Sequence, residues 1–261
     1  MNLMHPIFGI GRKMFSGYDI PPQEVAELYK LYTQTGGPSW TDHTNWFENK
    51  SCVTWYGLTV AGGRVTKIGF NGVVNGLAGV SNFSPKPFAA LTSLDLRSEP
   101  NLCLSFHATD LPSVFQWINL SGTKSVVVGA ITDFAPNAIL RIYLDPSPSI
   151  ITGSLSDIRP QNRWFSANSP IMGGSVPVKV VSVNYLRVSG QPTDIKDSII
   201  ERIYADRALF TDAAHTLNIS GGGALTGVYQ TSAAPSTPAE KAYALVNDQN
   251  AEGFLKWVIT L

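Results

Sequence analysis

The sequence predicts a mainly β protein, built as a short parallel β-solenoid with a helical N-terminal cap and a second cap at its C-terminus. Two observations carry this prediction. An apolar-x-x-apolar-x-apolar pattern recurs along the chain at a nearly constant spacing, which is typical of a repeat protein that adds one strand per turn. In addition, 23 Gly and 17 Pro accompany few helical periodicities, which favours strands joined by irregular turns.

The recurring pattern locates the predicted strands. The middle apolar residues of its first five matches are 26, 24, 24 and 23 residues apart, a regular spacing for successive turns of one coil. The later steps are 16, 22 and 14 residues, so either some later matches are accidental or the coil tightens. Segments between the strands are rich in Pro, Ser and Gly, and we expect loops or short 3₁₀ turns there. The matches are Val65/Ile68/Phe70, Leu91/Leu94/Leu96, Phe115/Ile118/Leu120, Ile139/Ile142/Leu144, a degenerate copy at Phe165/Ala167, Val178/Val181/Val183, Ile200/Ile203/Ala205 and Ala214/Leu217/Ile219.

An N-terminal cap is predicted over residues 20–64. Pro21 and Pro22 begin a helix with an apolar stripe, and the pair Gly36 and Gly37 ends it. Tryptophan-containing motifs then precede the first repeat strand. They are Gly36-Gly37-Pro38-Ser39-Trp40, Asn45-Trp46 and Cys52-Val53-Thr54-Trp55-Tyr56-Gly57. This arrangement resembles the N-terminal cap of plant-type leucine-rich repeat proteins, of the kind also encoded by bacteria and bacteriophages.

The resemblance implies a leucine-rich-repeat-type solenoid over residues 65–225 and a non-catalytic binding role. A cap covers the end of a repeat array, whose first turn would otherwise expose its core. Many members of the family carry a second cap cysteine near the position that Val60 holds here, so we expect no cap disulfide. Two unpaired thiols, Cys52 and Cys103, suit either a reducing compartment or a fold that does not need the bridge.

The two ends of the chain carry further signals. Thr237-Pro-Ala-Glu240 is a capping box that predicts a helix from about 238 to 246, inside a C-terminal cap over residues 226–261. The segment from Phe254 to Ile259 then repeats the strand pattern. Residues 1–19 form an apolar arm that we expect to anchor the chain to a partner; the alternatives are that it packs on its own solenoid or is a disordered leader. Its anchoring side chains are Ile7, Phe8, Ile10, Met14 and Phe15. Arg12 and Lys13 follow the apolar part, unlike the charges of a secretion signal.

The candidate binding face consists of the residues between the inward-pointing apolar positions. Stacked strands lie about 4.8 Å apart, so equivalent residues form columns across the sheet. We expect an aromatic strip of Trp117, Tyr143, Trp164 and Tyr204, since exposed aromatics with Arg are typical of binding hot spots. The alternative is that these residues only support one another as ladders. The full set on this concave face is Asp95, Arg97, Trp117, Asn119, Arg141, Tyr143, Asp145, Trp164, Arg202, Tyr204 and Asp206.

Composition and motifs exclude several classes of function. Nineteen basic and nineteen acidic residues cancel, so no electrostatic footprint for nucleic acid exists. No apolar run is long enough for a membrane span. Scattered histidines and the absence of nucleotide-binding motifs predict no catalytic residue, no metal and no cofactor. Gly221-Gly222-Gly223 is interpreted as a turn in preference to a phosphate cradle.

We therefore expect a non-catalytic protein-interaction scaffold, foremost a structural or accessory component of a bacteriophage virion that serves in decoration or host attachment. Its arm would bind a capsid or tail protein, and its solenoid a host-surface protein or glycan. The alternative is a bacterial adhesion or effector protein that binds a host protein through the concave face. A distant third is a β-solenoid carbohydrate-active enzyme with Asp145 and Asp206 as paired carboxylates. The expected location is the virion, or alternatively the bacterial cytoplasm or the cell surface without a cleaved signal peptide.

Overall fold

Two β-sheets and three α-helices make up the described part of the protein. The computed structural model describes residues 15–70, 72–134, 141–144, 150–152, 164–166, 185–187, 191–209, 215–249, 251, 253 and 255–261. The helices are α1 (Pro22–Gln34), α2 (Thr193–Ala205) and α3 (Pro238–Val246). Short 3₁₀ helices span Gly37–Ser39, Cys52–Thr54, Ala108–Asp110, Ile131–Phe134 and Arg207–Leu209.

Helix α1 begins and ends as the sequence predicts. Pro22 occupies its first turn, where a missing N–H costs no helical hydrogen bond. Val25, Leu28 and Leu31 are fully buried, so the apolar stripe faces the core. The helix ends at Gln34, Thr35 caps it, and Gly36 follows with φ of 76°, a left-handed conformation that glycine adopts at little cost.

The larger sheet has nine strands. Its order is β1, β2, β4, β6, β8, β10, β11, β12 and β13; β1 pairs antiparallel with β2, and every other neighbouring pair is parallel. The strands are β1 (Leu58–Ala61), β2 (Arg64–Gly69), β4 (Ser93–Asp95), β6 (Trp117–Asn119), β8 (Arg141–Tyr143), β10 (Trp164–Ser166), β11 (Tyr185–Arg187), β12 (His215–Asn218) and β13 (Trp257–Thr260).

A second, four-stranded parallel sheet lies between these strands in the sequence. Its strands are β3 (Ala78–Ser81), β5 (Asn101–His107), β7 (Val126–Ala130) and β9 (Ile150–Thr152). From β2 to β10 the chain passes alternately through one sheet and the other. The expectation of only loops and 3₁₀ turns between the repeat strands was therefore incomplete. Equivalent segments of successive turns stack closely enough to pair, and β5 alternates buried Leu102, Leu104 and Phe106 with more exposed residues.

Most of the predicted repeat strands are confirmed by the register of the nine-stranded sheet. Ile68, Leu94, Ile118, Ile142 and Phe165 are paired in sequence across β2, β4, β6, β8 and β10. Leu217 takes the same register on β12, and Ile259 on β13. These shared registers explain the spacing of the pattern, because one residue of each turn must return to the same position.

One predicted repeat is not tested by the described residues, and another does not supply a strand of this sheet. Residues 178–183 lie outside the described residues, and the strand between β10 and β12 is Tyr185–Arg187. Residues 200–205 belong to helix α2, so that repeat assignment was wrong. The cause is that Ile200 and Ile203, three residues apart, fit a helix face as well as the strand pattern. Ile195 and Ile199 extend that helical face and are buried with them.

The C-terminal part combines the helices α2 and α3 with β12 and β13. The predicted capping box of α3 is confirmed: Glu240 N donates to Thr237 Oγ1 at 3.3 Å, and Thr237 N donates to a Glu240 carboxylate oxygen at 3.1 Å. Lys241 on α3 pairs with Glu201 on α2 at 2.6 Å. Trp257 on β13 is buried and stacks on His215, with ring centroids 5.0 Å apart.

The cap is joined to the sheet by a buried ion pair. Glu24 of α1 is fully buried and accepts hydrogen bonds from Arg64 Nε at 2.6 Å and Val65 N at 2.9 Å. Burial raises the pKa of the Glu24 carboxyl, although both partners act in the opposite direction.

Cys52 is buried in the cap without a disulfide, and Cys103 is also a free thiol. Within the part of the chain that is described, no helix is long and apolar enough to cross a membrane.

Candidate binding site

The open face of the nine-stranded sheet presents two columns of side-chain positions between the buried ones. Lys67, Ser93, Trp117 and Arg141 are register partners in the first column, on β2, β4, β6 and β8. Gly69, Asp95, Asn119 and Tyr143 form the second column on the same strands. The register therefore places Asp95, Trp117, Asn119, Arg141 and Tyr143 at positions that alternate with the inward-pointing ones, and their role in binding stays a prediction.

The predicted aromatic strip is not a single column. Tyr143 lies in the second column, whereas Trp117 and the backbone of Trp164 share the first, with Arg141 between them. Tyr185 takes the next position in that first column, and the sequence pattern missed it because the strand of that turn was assigned elsewhere. The strip as predicted was wrong because it combined two columns.

Three predicted face residues, Arg202, Tyr204 and Asp206, lie away from the sheet. Arg202 and Tyr204 belong to α2, and Asp206 follows its last residue. Arg202 Nε donates to Asp206 Oδ2 at 2.7 Å, one helical turn apart. The Arg207 guanidinium lies 4.0 Å from the centre of the Tyr204 ring. Their assignment to the binding face was wrong. Ile200 and Ile203 fit the strand pattern but also a helix face, and this segment is helical.

Other predicted residues lie partly or wholly outside the described residues. Asp145 is one of them, and so are four anchoring side chains of the arm: Ile7, Phe8, Ile10 and Met14. Phe15 is described and half-buried. Its ring centroid lies 5.5 Å from that of Tyr29 on α1, so this member of the arm contacts its own chain.

A pocket of about 360 Å³ opens on this face near the cap end of the sheet. The turn from Tyr56 to Thr59, which leads into and begins β1, forms one wall. Gly57 permits this approach: its φ is 79°, and a Cβ there would lie 2.6 Å from the Phe70 ring. Sequence reasoning missed this wall, because nothing in the repeat pattern predicted that β1 folds back antiparallel on β2. The remaining lining residues are Lys67, Ile68, Gly69, Ser93, Asp95, Arg97 and Trp117.

Asp95 is the acidic residue among those that line the pocket. Its side chain is 9% exposed, and Oδ2 pairs with Arg97 Nη2 at 3.0 Å. Its other oxygen, Oδ1, is buried and has no hydrogen-bond partner among the described residues. Burial raises the pKa of the Asp95 carboxyl, although Arg97 acts in the opposite direction.

Trp117 lies between two guanidinium groups. The central carbon of Arg97 is 5.9 Å from the Trp117 ring centre, and that of Arg141 is 5.7 Å from it. Trp117 Nε1 and Arg97 Nε are buried donors without a hydrogen-bond partner in the described part of the chain. An unpaired buried polar atom costs about 1–3 kcal/mol. One acceptor and two donors of this kind, all on residues that line one pocket, mark a place where a ligand can supply the missing hydrogen bonds once small shifts of these side chains uncover the atoms.

Asn119 has a structural task, unlike its neighbour Asp95. It is 3% exposed, and its Oδ1 accepts hydrogen bonds from Ser121 N at 3.1 Å and Ser121 Oγ at 2.7 Å. Asn218 repeats this corner with Ser220, at 3.1 and 2.8 Å. Asn119 therefore shapes the exit from β6.

Among the described residues, no group of three or more His, Cys, Asp or Glu side chains is arranged to hold a metal ion.

Comparison with known proteins gives remote similarities only. No protein-family model matches the sequence, and no curated protein matches it. One similar structure is the leucine-rich repeat ectodomain of the Arabidopsis receptor kinase HAESA, in complex with an N-terminally extended IDA peptide hormone. Its TM-score is 0.39 at 15% identity, over 65% of this chain and 29% of that chain.

Two further solved structures show similarity of the same order. The complex PEPR1–AtPEP1 has a TM-score of 0.40 at 13% identity, over 77% of this chain and 24% of that chain. A plant ice-binding protein has a TM-score of 0.42 at 15% identity, over 78% of this chain and 72% of that chain. The chain thus spans less than a third of the HAESA and PEPR1 chains that it matches.

Proposed function

We propose that this protein is a non-catalytic binding scaffold that holds an extended segment of a partner protein against the open face of its nine-stranded sheet. The observation that carries the proposal is the set of three unpartnered buried atoms, Asp95 Oδ1, Arg97 Nε and Trp117 Nε1. A peptide backbone offers both N–H donors and C=O acceptors, and can therefore satisfy all three atoms.

The surroundings of these atoms support a protein ligand. Trp117 supplies apolar area, and Arg97 and Arg141 flank its ring, which is the residue composition of protein-binding hot spots. The balanced net charge of the chain disfavours nucleic acid as the ligand. Specificity comes from the Asp95–Arg97 pair, because a ligand must match an acceptor and a donor at fixed positions.

Selection of peptides from a random library displayed on particles tests this proposal. The immobilised full chain should enrich peptides that the Trp117→Ala variant no longer captures, whereas an Arg207→Ala variant, altered away from the sheet, should capture them as the wild type does. Enrichment of the same peptides by all three proteins would contradict the proposal. If the chain binds glycans of an array through this pocket and enriches no peptide, the ligand of the site is a glycan and not a protein.

We also propose, as the finer assignment, that the scaffold is a decoration or host-attachment component of a bacteriophage virion. The zero net charge of the chain and the apolar arm at residues 1–19, which would bind a capsid or tail protein, support this assignment. Mass spectrometry of gradient-purified particles should find the chain in fixed ratio to the major shell protein, and deletion of residues 1–19 should release it. Absence from the particles would favour the bacterial adhesion or effector protein instead.

A further inference from the structure

A cavity of about 450 Å³ lies at the opposite end of the molecule, between the first turns of α2, the loop after β12 and the start of α3. Its volume falls within the range of about 300–1,000 Å³ that is usual for small-molecule sites. Leu225, Tyr229, Ala239 and Leu261 provide apolar walls, and glycines 221–223 form a further side.

Lys196 is the charged residue of this cavity. It is 4% exposed as a residue, its Nζ keeps some contact with solvent, and no ion pair or hydrogen bond of its ammonium group is found among the described residues. By contrast, Lys30, Lys241 and Lys256 each pair with a carboxylate at 2.6–3.3 Å. Burial lowers the pKa of the Lys196 ammonium. A buried charge without a partner is costly unless something pairs with it.

Nearby carboxylates are already engaged elsewhere. Asp197 accepts hydrogen bonds from Thr226 N at 3.0 Å and from Thr226 Oγ1 at 2.5 Å. Glu201 pairs with Lys241. These contacts hold the loop and α3 against α2, so the cavity is maintained without using Lys196.

The glycine loop lines the same cavity as the lysine and packs against the first turn of α2. Gly221 and Gly222 have φ of 73° and 70°, and Gly223 N donates to Gln191 O at 3.0 Å. A Cβ on Gly223 would lie 2.6 Å from Thr193 N, so the loop runs directly against the first turn of α2. At the mouth of the cavity, Tyr229 and Leu261 are 46% and 43% exposed, so an apolar surface is available to a ligand.

We propose that this cavity binds a small aliphatic carboxylate, whose charged end pairs with Lys196 Nζ and whose chain contacts Leu225, Tyr229 and Leu261. The polar part of the site is a single buried cation and the walls are apolar, which matches a monoanion with a short hydrocarbon chain. The site is independent of the peptide face, because it uses none of the same residues.

Titration of the full chain with hexanoate, followed by calorimetry, tests the proposal, with 1-hexanol as the uncharged ligand of equal chain length. Hexanoate should bind saturably and about tenfold or more tightly than hexanol, because a hydrogen bond to a charged group usually contributes that much to affinity. The Lys196→Met variant should lose this preference, whereas Lys124→Met, altered at an exposed lysine, should keep it. Equal affinity for the two ligands, or hexanoate binding by Lys196→Met at wild-type strength, would overturn the proposal.

A second readout separates loss of binding from loss of folding. Lys196→Met removes a buried unpaired charge and keeps a chain of similar length, so its melting temperature should equal or exceed that of the wild type. In the wild type, hexanoate should slow acetylation of Lys196 by acetic anhydride, measured by peptide mass spectrometry, and leave that of Lys124 unchanged. Equal rates at Lys196 with and without hexanoate would count against the site.

Discussion

Asp95 and Asn119 show how residues at equivalent positions of neighbouring strands come to differ in role. They are register partners on β4 and β6. Asn119 Oδ1 is occupied by Ser121, whereas Asp95 Oδ1 has no partner among the described residues. The sequence pattern placed both on the open face. It could not separate their roles, because these depend on the corner after each strand and on the β1 wall.

Replacing Asn119 tests its structural role. We expect Asn119→Ala to lower the free energy of unfolding by about 1–2 kcal/mol, because two hydrogen bonds of the corner are lost. Asn218→Ala should cost a similar amount, since its corner has the same geometry. Urea denaturation measures both. Unchanged stability of Asn119→Ala with complete loss of peptide binding would instead place Asn119 in the ligand contact.

The Asp95 carboxyl should make stability depend on pH in a defined direction. Burial raises its pKa above the ordinary value of 3.8, so the folded state favours the protonated form. Ionisation therefore removes stability as the pH rises from about 3.8 through the raised pKa, and this stability is regained on acidification. The Asp95→Asn variant lacks this dependence. The unfolding free energy of the variant minus that of the wild type should therefore increase from pH 3 to pH 7. A constant difference across that range would contradict this account.

At the scale of elements, the predicted structures with a local chemical signal are the ones that the sequence located best. Helix α1 follows from Pro22 and the glycine pair, α3 from its capping box, and strands β2, β4, β6, β8 and β10 from their spacing. Helix α2 was missed because Ile200 and Ile203 satisfy two periodicities. The second sheet was missed because its pairing depends on contacts between turns and not on local sequence.

The junction between α1 and β2 is expected to depend on Glu24. Glu24→Ala removes the buried partner of Arg64 and Val65 N, and we expect a loss of about 3 kcal/mol in unfolding free energy. Glu48→Ala, at an exposed cap position, should change it by less than about 0.5 kcal/mol. Denaturant unfolding of Glu24→Ala, Arg64→Ala and the double variant gives the coupling energy of the pair, with Glu48→Ala as the control. A coupling near zero would show that the ion pair does not fasten the cap.

For the whole molecule, the two proposed sites lie at different parts of the nine-stranded sheet. The peptide pocket involves β1, β2, β4 and β6, whereas the Lys196 cavity lies beside β12 and the two C-terminal helices. Strands β8, β10 and β11 separate them in the sheet order. Neither pocket follows from the sequence alone, because each is closed by segments distant in the chain.

This separation predicts that the sites act independently. Trp117→Ala should leave hexanoate affinity within about twofold of the wild type, and Lys196→Met should leave peptide affinity similarly unchanged, as expected for distant sites without shared partners. Calorimetric titration of both variants with both ligands measures this. A tenfold change of either affinity by the distant substitution would show that the two ends are coupled.

The central claim, that a peptide completes the hydrogen bonds of the open face, is tested most directly at the indole of Trp117. In ¹⁵N-labelled protein, the Trp117 Nε1–H resonance, assigned with a Trp117→Phe variant, should shift on addition of a library-selected peptide, in proportion to saturation. The Trp40 resonance, whose Nε1 already donates to Thr35 O at 3.0 Å outside the pocket, should stay in place. A saturating peptide that leaves the Trp117 resonance unmoved would contradict the account.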